Sequence, residues 1–102
     1  MGDLDWLMNW YRAQCDEDWE HRFGVSIGTL DNPGWSLAVD LQGTEMEGRA
    51  FAAVSDNVDA NGHPAGEAWL VCRLEGGQFR AYGGALDVGR MIRVFREWVE
   101  AS

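Results

Sequence analysis

Cys15-Asp-Glu-Asp-Trp-Glu-His-Arg-Phe-Gly-Val-Ser-Ile-Gly-Thr-Leu-Asp-Asn-Pro-Gly-Trp35 is the stretch in which helix, strand and turn signals meet. It opens on the tail of a helical pattern, passes an acidic knot at Asp16, Glu17 and Asp18, and becomes a period-2 run. In an extended chain Trp19, His21, Phe23, Val25 and Ile27 share one side, while Glu20, Arg22, Gly24, Ser26 and Gly28 share the other. One strand face is therefore large and apolar, the other small and polar. Asp31-Asn32-Pro33-Gly34 then supplies turn-capping side chains, a proline that fixes φ and a glycine free to take φ > 0. The spacing predicts a strand over 19–30, a hairpin corner, and an antiparallel second strand from Trp35 to Leu41.

Before this stretch, residues 3 to about 15 read as a helix with Asp3 as N-cap. Leu4, Leu7, Met8, Tyr11 and Cys15 form one stripe, expected to face the core, and Trp6, Trp10 and Ala13 fall on an adjacent arc. That arc is wider than a surface helix needs, which leaves two readings: another element covers it, or a partner does. After the hairpin, residues 43–48, bounded by glycines, read as a turn or a short acidic edge, a third strand is expected near Phe51 to Val58, and residues 56–67 are turn formers that make a mobile loop. A fourth strand over Ala68–Leu74, a Glu75-Gly76-Gly77 turn and a fifth strand over Gln78–Tyr82 follow, with Gly83-Gly84 breaking the strand. Asp87 then caps a helix whose Val88, Met91, Ile92, Phe95, Trp98 and Val99 share one face. The pattern predicts one α+β domain over 1–102: an N-terminal helix, a mainly antiparallel sheet of about five strands, and a C-terminal helix packed on the sheet.

Charge narrows the partners. Seventeen acidic residues stand against 8 arginines and no lysine, for a net charge of −9. Such a field repels nucleic acid and anionic membranes and speeds encounter with basic proteins. Lysine chemistry, whether Schiff base or P-loop, is excluded. The N-terminus has neither a basic region nor a long apolar run, so neither a signal peptide nor a membrane span is expected, and the expected location is the cytoplasm. No pattern sets an oligomeric state.

Catalytic constellations are sought and not found. His21, beside Trp19 and Phe23, reads as a core or rim histidine, and His63 lies in the loop. Cys15 is followed by three carboxylates, which raise a thiol's pKa rather than lower it, and Cys72 falls mid-strand, where packing is the usual role. Asn57, Asp59, Asn61 and Gly62 mimic the start of an EF-hand loop, but the closing position is Ala68. No catalytic residue, cofactor or metal is expected.

At Cys15-Asp-Glu-Asp-Trp-Glu-His21, Thr29-Leu-Asp-Asn-Pro-Gly-Trp35 and Asp40-Leu-Gln-Gly-Thr44 the chain resembles the immunity protein 53 family of bacterial polymorphic toxin systems. The likeness extends to Phe79, Gly83-Gly84 and the Phe95, Trp98 pair of the last helix. It departs in the 56–67 loop, longer than is usual there, and at Gly89 and Arg90, where acidic residues are common. The resemblance implies a small cytoplasmic protein that binds and neutralises a cognate toxin. The acidic balance is the complement of a basic nuclease. Candidate contact residues are Asp16, Glu17, Asp18, Asp31, Glu45 and Glu47 at the acidic turns, with Trp6 and Trp10 as aromatic anchors. The alternatives are a small-ligand-binding domain using the tryptophan arc as a pocket, and a small enzyme using Cys15 or His21.

Overall fold

Leu37 and Val39 alternate along one strand as Phe79 and Ala81 do along its neighbour, and the face they share is where the sheet meets its helices. In the computed structural model, which describes residues 2–102, the elements are α1 (Asp3–Gln14), α2 (Trp19–Arg22), β1 (Val25–Leu30), β2 (Gly34–Asp40), β3 (Val54–Asp56), β4 (Leu70–Glu75), β5 (Gln78–Gly84) and α3 (Val88–Glu100). The sheet order is β1-β2-β5-β4-β3, and every neighbouring pair is antiparallel. The chain thus forms the α+β architecture its periodicities predict.

α3 lies across the middle of the sheet and buries Met91, Ile92 and Phe95 against Leu37, Val39, Cys72 and Phe79. Each such side chain contributes roughly 2 kcal/mol of hydrophobic stabilisation. α1 packs on α3 rather than across the sheet, and Asp3 joins the two helices through Arg93 at 3.2 Å and Arg96 at 3.4 Å. Among the described residues no helix covers the opposite sheet face, where Ser36, Ala38, Arg80 and Tyr82 are half-buried.

Several local expectations are corrected. The core side of α1 is Trp6, Leu7 and Trp10, while Leu4, Met8 and Tyr11 are 54%, 53% and 38% exposed. Packing on α3 decides this: Trp6 and Trp10 stack edge-on against Phe95 at 5.8 and 5.0 Å, and burying an indole removes more apolar area than burying an aliphatic chain. Gly2, not Asp3, is the N-cap of α1, because Asp3 is engaged by the arginines of α3. Residues 19–22 are a helical turn, so β1 begins only at Val25, and the third strand is reduced to Val54–Asp56. Asp87 is the N-cap of α3, yet its side chain makes no capping hydrogen bond; Oδ2 accepts from Trp69 N at 3.1 Å and Gly84 N at 3.2 Å, Oδ1 pairs with Arg90 of α3 at 3.5 Å, and the carboxylate so ties the helix to the sheet.

Two glycine readings change as well. Gly83-Gly84 does not break β5, and Gly34 lies inside β2 rather than at a left-handed turn position. Gly34 and Gly84 are register partners. A Cβ on Gly84 would sit 2.1 Å from the Glu67 carbonyl oxygen, and one on Gly34 would sit 2.5 Å from that of Gly83. Close backbone approach, not torsional freedom, demands glycine there. Gly84→Ala is therefore expected to destabilise the fold by about 3 kcal/mol. Gly89→Ala, in α3 with nothing within 4 Å of its Cβ, should instead stabilise it by roughly 1 kcal/mol. Urea unfolding of both variants checks the opposite signs.

Candidate partner-binding surface

The acidic knot is first a piece of local structure. Asp16 Oδ1 accepts the backbone N–H groups of Asp18 at 3.0 Å and Trp19 at 2.8 Å, and so starts α2. Glu20 answers from inside α2: its two carboxylate oxygens accept from Asp16 N and Glu17 N, each at 2.9 Å. Backbone donors hold both carboxyls below the usual range, Asp16 chiefly through the Trp19 N–H and Glu20 chiefly through its own backbone N–H, with the Asp16 and Glu17 N–H groups adding to it. Asp18 pairs with Arg22 at 2.8 Å. Glu17 holds φ at 76°, a left-handed conformation that disfavours residues with a Cβ.

The segment from Leu41 to Ala53, which carries the chain from β2 to the far edge of the sheet, closes on this corner. Met46 is fully buried, so Glu45 and Glu47 on either side of it point outward. Three indoles hold the segment: Trp19 Nε1 donates to the Gln42 carbonyl at 2.8 Å, Trp10 Nε1 to Glu45 Oε1 at 3.1 Å, and Trp98 Nε1 to the Ala50 carbonyl at 2.8 Å. Asp16, Asp18 and Glu47 consequently line one hollow of about 300 Å3, floored by Trp19 and Phe23. Five of the six acidic candidates thus gather at one end of the molecule. Asp31 does not. It sits in the β1–β2 turn, at the other end of a six-residue strand and so roughly 20 Å away.

The tryptophan candidates fare differently. Trp10 is buried, and Trp6 lies against Phe95 under the Arg96 guanidinium, 5.9 Å from the ring centroid. The two indoles of the arc pack on α3, the first of its two readings, while Ala13 stays exposed. Trp10 offers no free face to a partner, and the arc is filled by packing rather than open as a ligand pocket.

The family model of immunity protein 53 matches residues 4–100. The chain belongs to the immunity protein 53 family. It is accordingly an immunity protein, of a kind that binds a cognate toxin. No curated protein and no solved structure matched the chain. Among the described residues no helix is long and apolar enough to cross a membrane.

Cys72 is fully buried between β3 and β5, and burial pushes its thiol up to about 12, so it is protonated at neutral pH. The Cys15 thiol donates to the Tyr11 carbonyl at 3.4 Å. His21 faces solvent from α2 instead of lying on an apolar strand face, since that strand is replaced by a helical turn. In the 56–67 loop Asp59 Oδ1 accepts from Asn61 N and His63 N, at 2.8 and 2.9 Å, and Val58 bridges to Pro64, so the loop has internal order of its own.

A missed feature is the reciprocal capping by Asp16 and Glu20, whose signal was a carboxylate three residues before Trp19 and another just after it. Because both carboxyls are lowered on folding, their contribution is present above about pH 4 and is lost as pH falls through the depressed folded values. Asp16→Ala is expected to lower Tm by about 5 °C at pH 7, as loss of a helix cap does. The deficit should shrink as the melting series is carried down to pH 2, and Glu17→Gln at pH 7 should melt like the parent chain.

Proposed function

We propose that this immunity protein neutralises a basic toxin, a nuclease in the first place, by binding it in the cytoplasm and covering it rather than by any reaction of its own. The acidic end built by Asp16, Glu17, Asp18, Glu45 and Glu47 is the docking region. The observation that carries this reading is the convergence of two separate acidic turns on one hollow, in a chain of net charge −9. Glu17 adds to it. A left-handed backbone position favours glycine, and a glutamate there costs on the order of 1 kcal/mol. Such a residue keeps at the tip of the corner a carboxylate that bonds to nothing else among the described residues. Negative charge at that site is useful to a partner and not to the fold.

Charges at a rim act on the encounter more than on the lifetime of a complex. The variants that test the reading must therefore spare Asp16 and Glu45, whose carboxylates hold the corner and the Trp10 indole. Glu17→Gln, Asp18→Asn and Glu47→Gln together should lower k_on for the toxin encoded beside the gene by roughly tenfold at low salt and flatten its salt dependence. Stopped-flow binding at low and physiological ionic strength, with growth rescue on co-expression, measures both. An unchanged k_on and salt slope would reduce the acidic end to a solvated surface. Failure of the parent chain to bind or protect would remove the toxin reading itself.

A further inference from the structure

β1 is a terminal strand of the sheet, and no other strand of the described residues pairs with its outer edge. Asp40 N donates to the Gly24 carbonyl at 3.0 Å, so Gly24 and Asp40 are a hydrogen-bonded pair, and bonding alternates from there along the ladder. Leu41 N donating to the Gly77 carbonyl fixes the same alternation from the β5 side of β2. Val25, Ile27 and Thr29 are therefore the residues whose N–H and C=O groups point away from β2, into solvent. Sheet edges are ordinarily blunted by charge, proline, a bulge or shortness. β3, the other edge, is three residues long and is braced by the Asp56–Arg90 pair. β1 is six residues, Val-Ser-Ile-Gly-Thr-Leu, with no charge and no proline.

Beside that edge runs a groove of about 280 Å3 between α1 and β1, lined by Leu4, Leu7, Met8, Tyr11, Val25 and Ile27. It collects four of the exposed large apolar side chains: Leu4, Met8, Tyr11 and Ile27. A strand added to β1 would place every second side chain on the groove side, opposite Val25, Ile27 and Thr29. The intervening side chains would lie over the open face beside Ser26 and Gly28, where small residues leave room for long ones. Charge selects the occupant. Both walls come from residues 1–31, which hold seven carboxylates and two arginines. A second copy would bring the same sign against itself, whereas a basic chain is drawn in.

We propose that the free edge of β1 and the adjoining α1 groove receive an extended segment of the toxin as a sixth strand, apolar at alternate positions and basic between them. This rests on the toxin-binding reading above and adds to it the surface that holds the complex together once charge has brought the partners near. Main-chain bonds supply affinity in such strand addition and the groove supplies choice of sequence.

The test uses the full chain and the purified toxin encoded beside its gene. Thr29→Pro removes an outward N–H and leaves the bonds to β2 intact, as proline on an edge strand can. Met8→Glu places a charge in the groove, and Leu86→Glu alters a residue that is 88% exposed on the β5–α3 turn. The first two should each raise Kd roughly tenfold or more, mainly through k_off, and the third should leave it unchanged. On the unmutated chain, amide exchange at Val25, Ile27 and Thr29 should slow by roughly tenfold or more when toxin is added. Toxin binding and protection that persist with unprotected amides and unaffected variants would overturn the strand addition and leave the toxin reading standing. No binding by the parent chain would overturn both. Sedimentation showing the chain alone as a dimer that Thr29→Pro returns to monomer would also overturn it, by giving the edge to a second copy.

Discussion

Three indole N–H groups, from Trp10, Trp19 and Trp98, determine where the chain can go between β2 and β3. That segment must cross the end of the sheet and cover its core face without strand or helix of its own, and its polar backbone must still find partners. Each indole is anchored in a different helix, and each spends its single donor on the segment. Met46 and Phe51 then enter the core from it, Phe51 standing edge-on to Phe79 at 5.4 Å and to Trp98 at 5.2 Å. Helices, crossing and sheet are thus one packed unit. The acidic end exists because that unit fixes two loops against each other.

The same carboxylates serve the fold and the field. Asp16 and Glu20 satisfy backbone donors, Glu45 satisfies an indole, and Asp3 and Asp87 join α3 to α1 and to the sheet. Only part of the charge at the acidic end can therefore be changed without changing the structure that presents it. Glu17 stands apart, since its side chain contributes charge and its backbone contributes strain.

Elements whose period is decided by one long apolar face were legible in the residues: α3, β2 and β5 all lie where their alternation puts them. What escaped was set either by competing local bonds or by contacts distant in sequence. Trp19, His21 and Phe23 do alternate, but the Asp16 and Glu20 caps make a helical turn the better use of those backbone groups. The two arcs of α1 are adjacent on a helical wheel, and what chooses between them is α3, some 90 positions on, through Asp3 and Phe95. The Glu67 carbonyl that forbids a side chain at Gly84 is equally invisible in one dimension. For the site, the pairing of the Asp16 corner with Glu45 and Glu47 depended on the crossing segment. The separation of Asp31 did not: a hairpin turn and the entry to its first strand lie at opposite ends by construction.

The strand order carries a consequence for how the molecule comes into being. β5 is the central strand and is made after the other four strands of the sheet, and α3, which covers the core, follows it. At ribosomal rates of roughly 5 to 20 residues per second, about 2 to 8 s separate completion of β2 from the start of β5. Throughout that interval β1 and β2 are a lone hairpin, an arrangement of marginal stability in water. The nascent chain therefore has no stepwise route to a half-finished sheet, and a chain stopped before residue 78 lacks both the middle of its sheet and the lid over its core. The core of this fold therefore closes in one step, once β5 and α3 have both left the ribosome, rather than strand by strand.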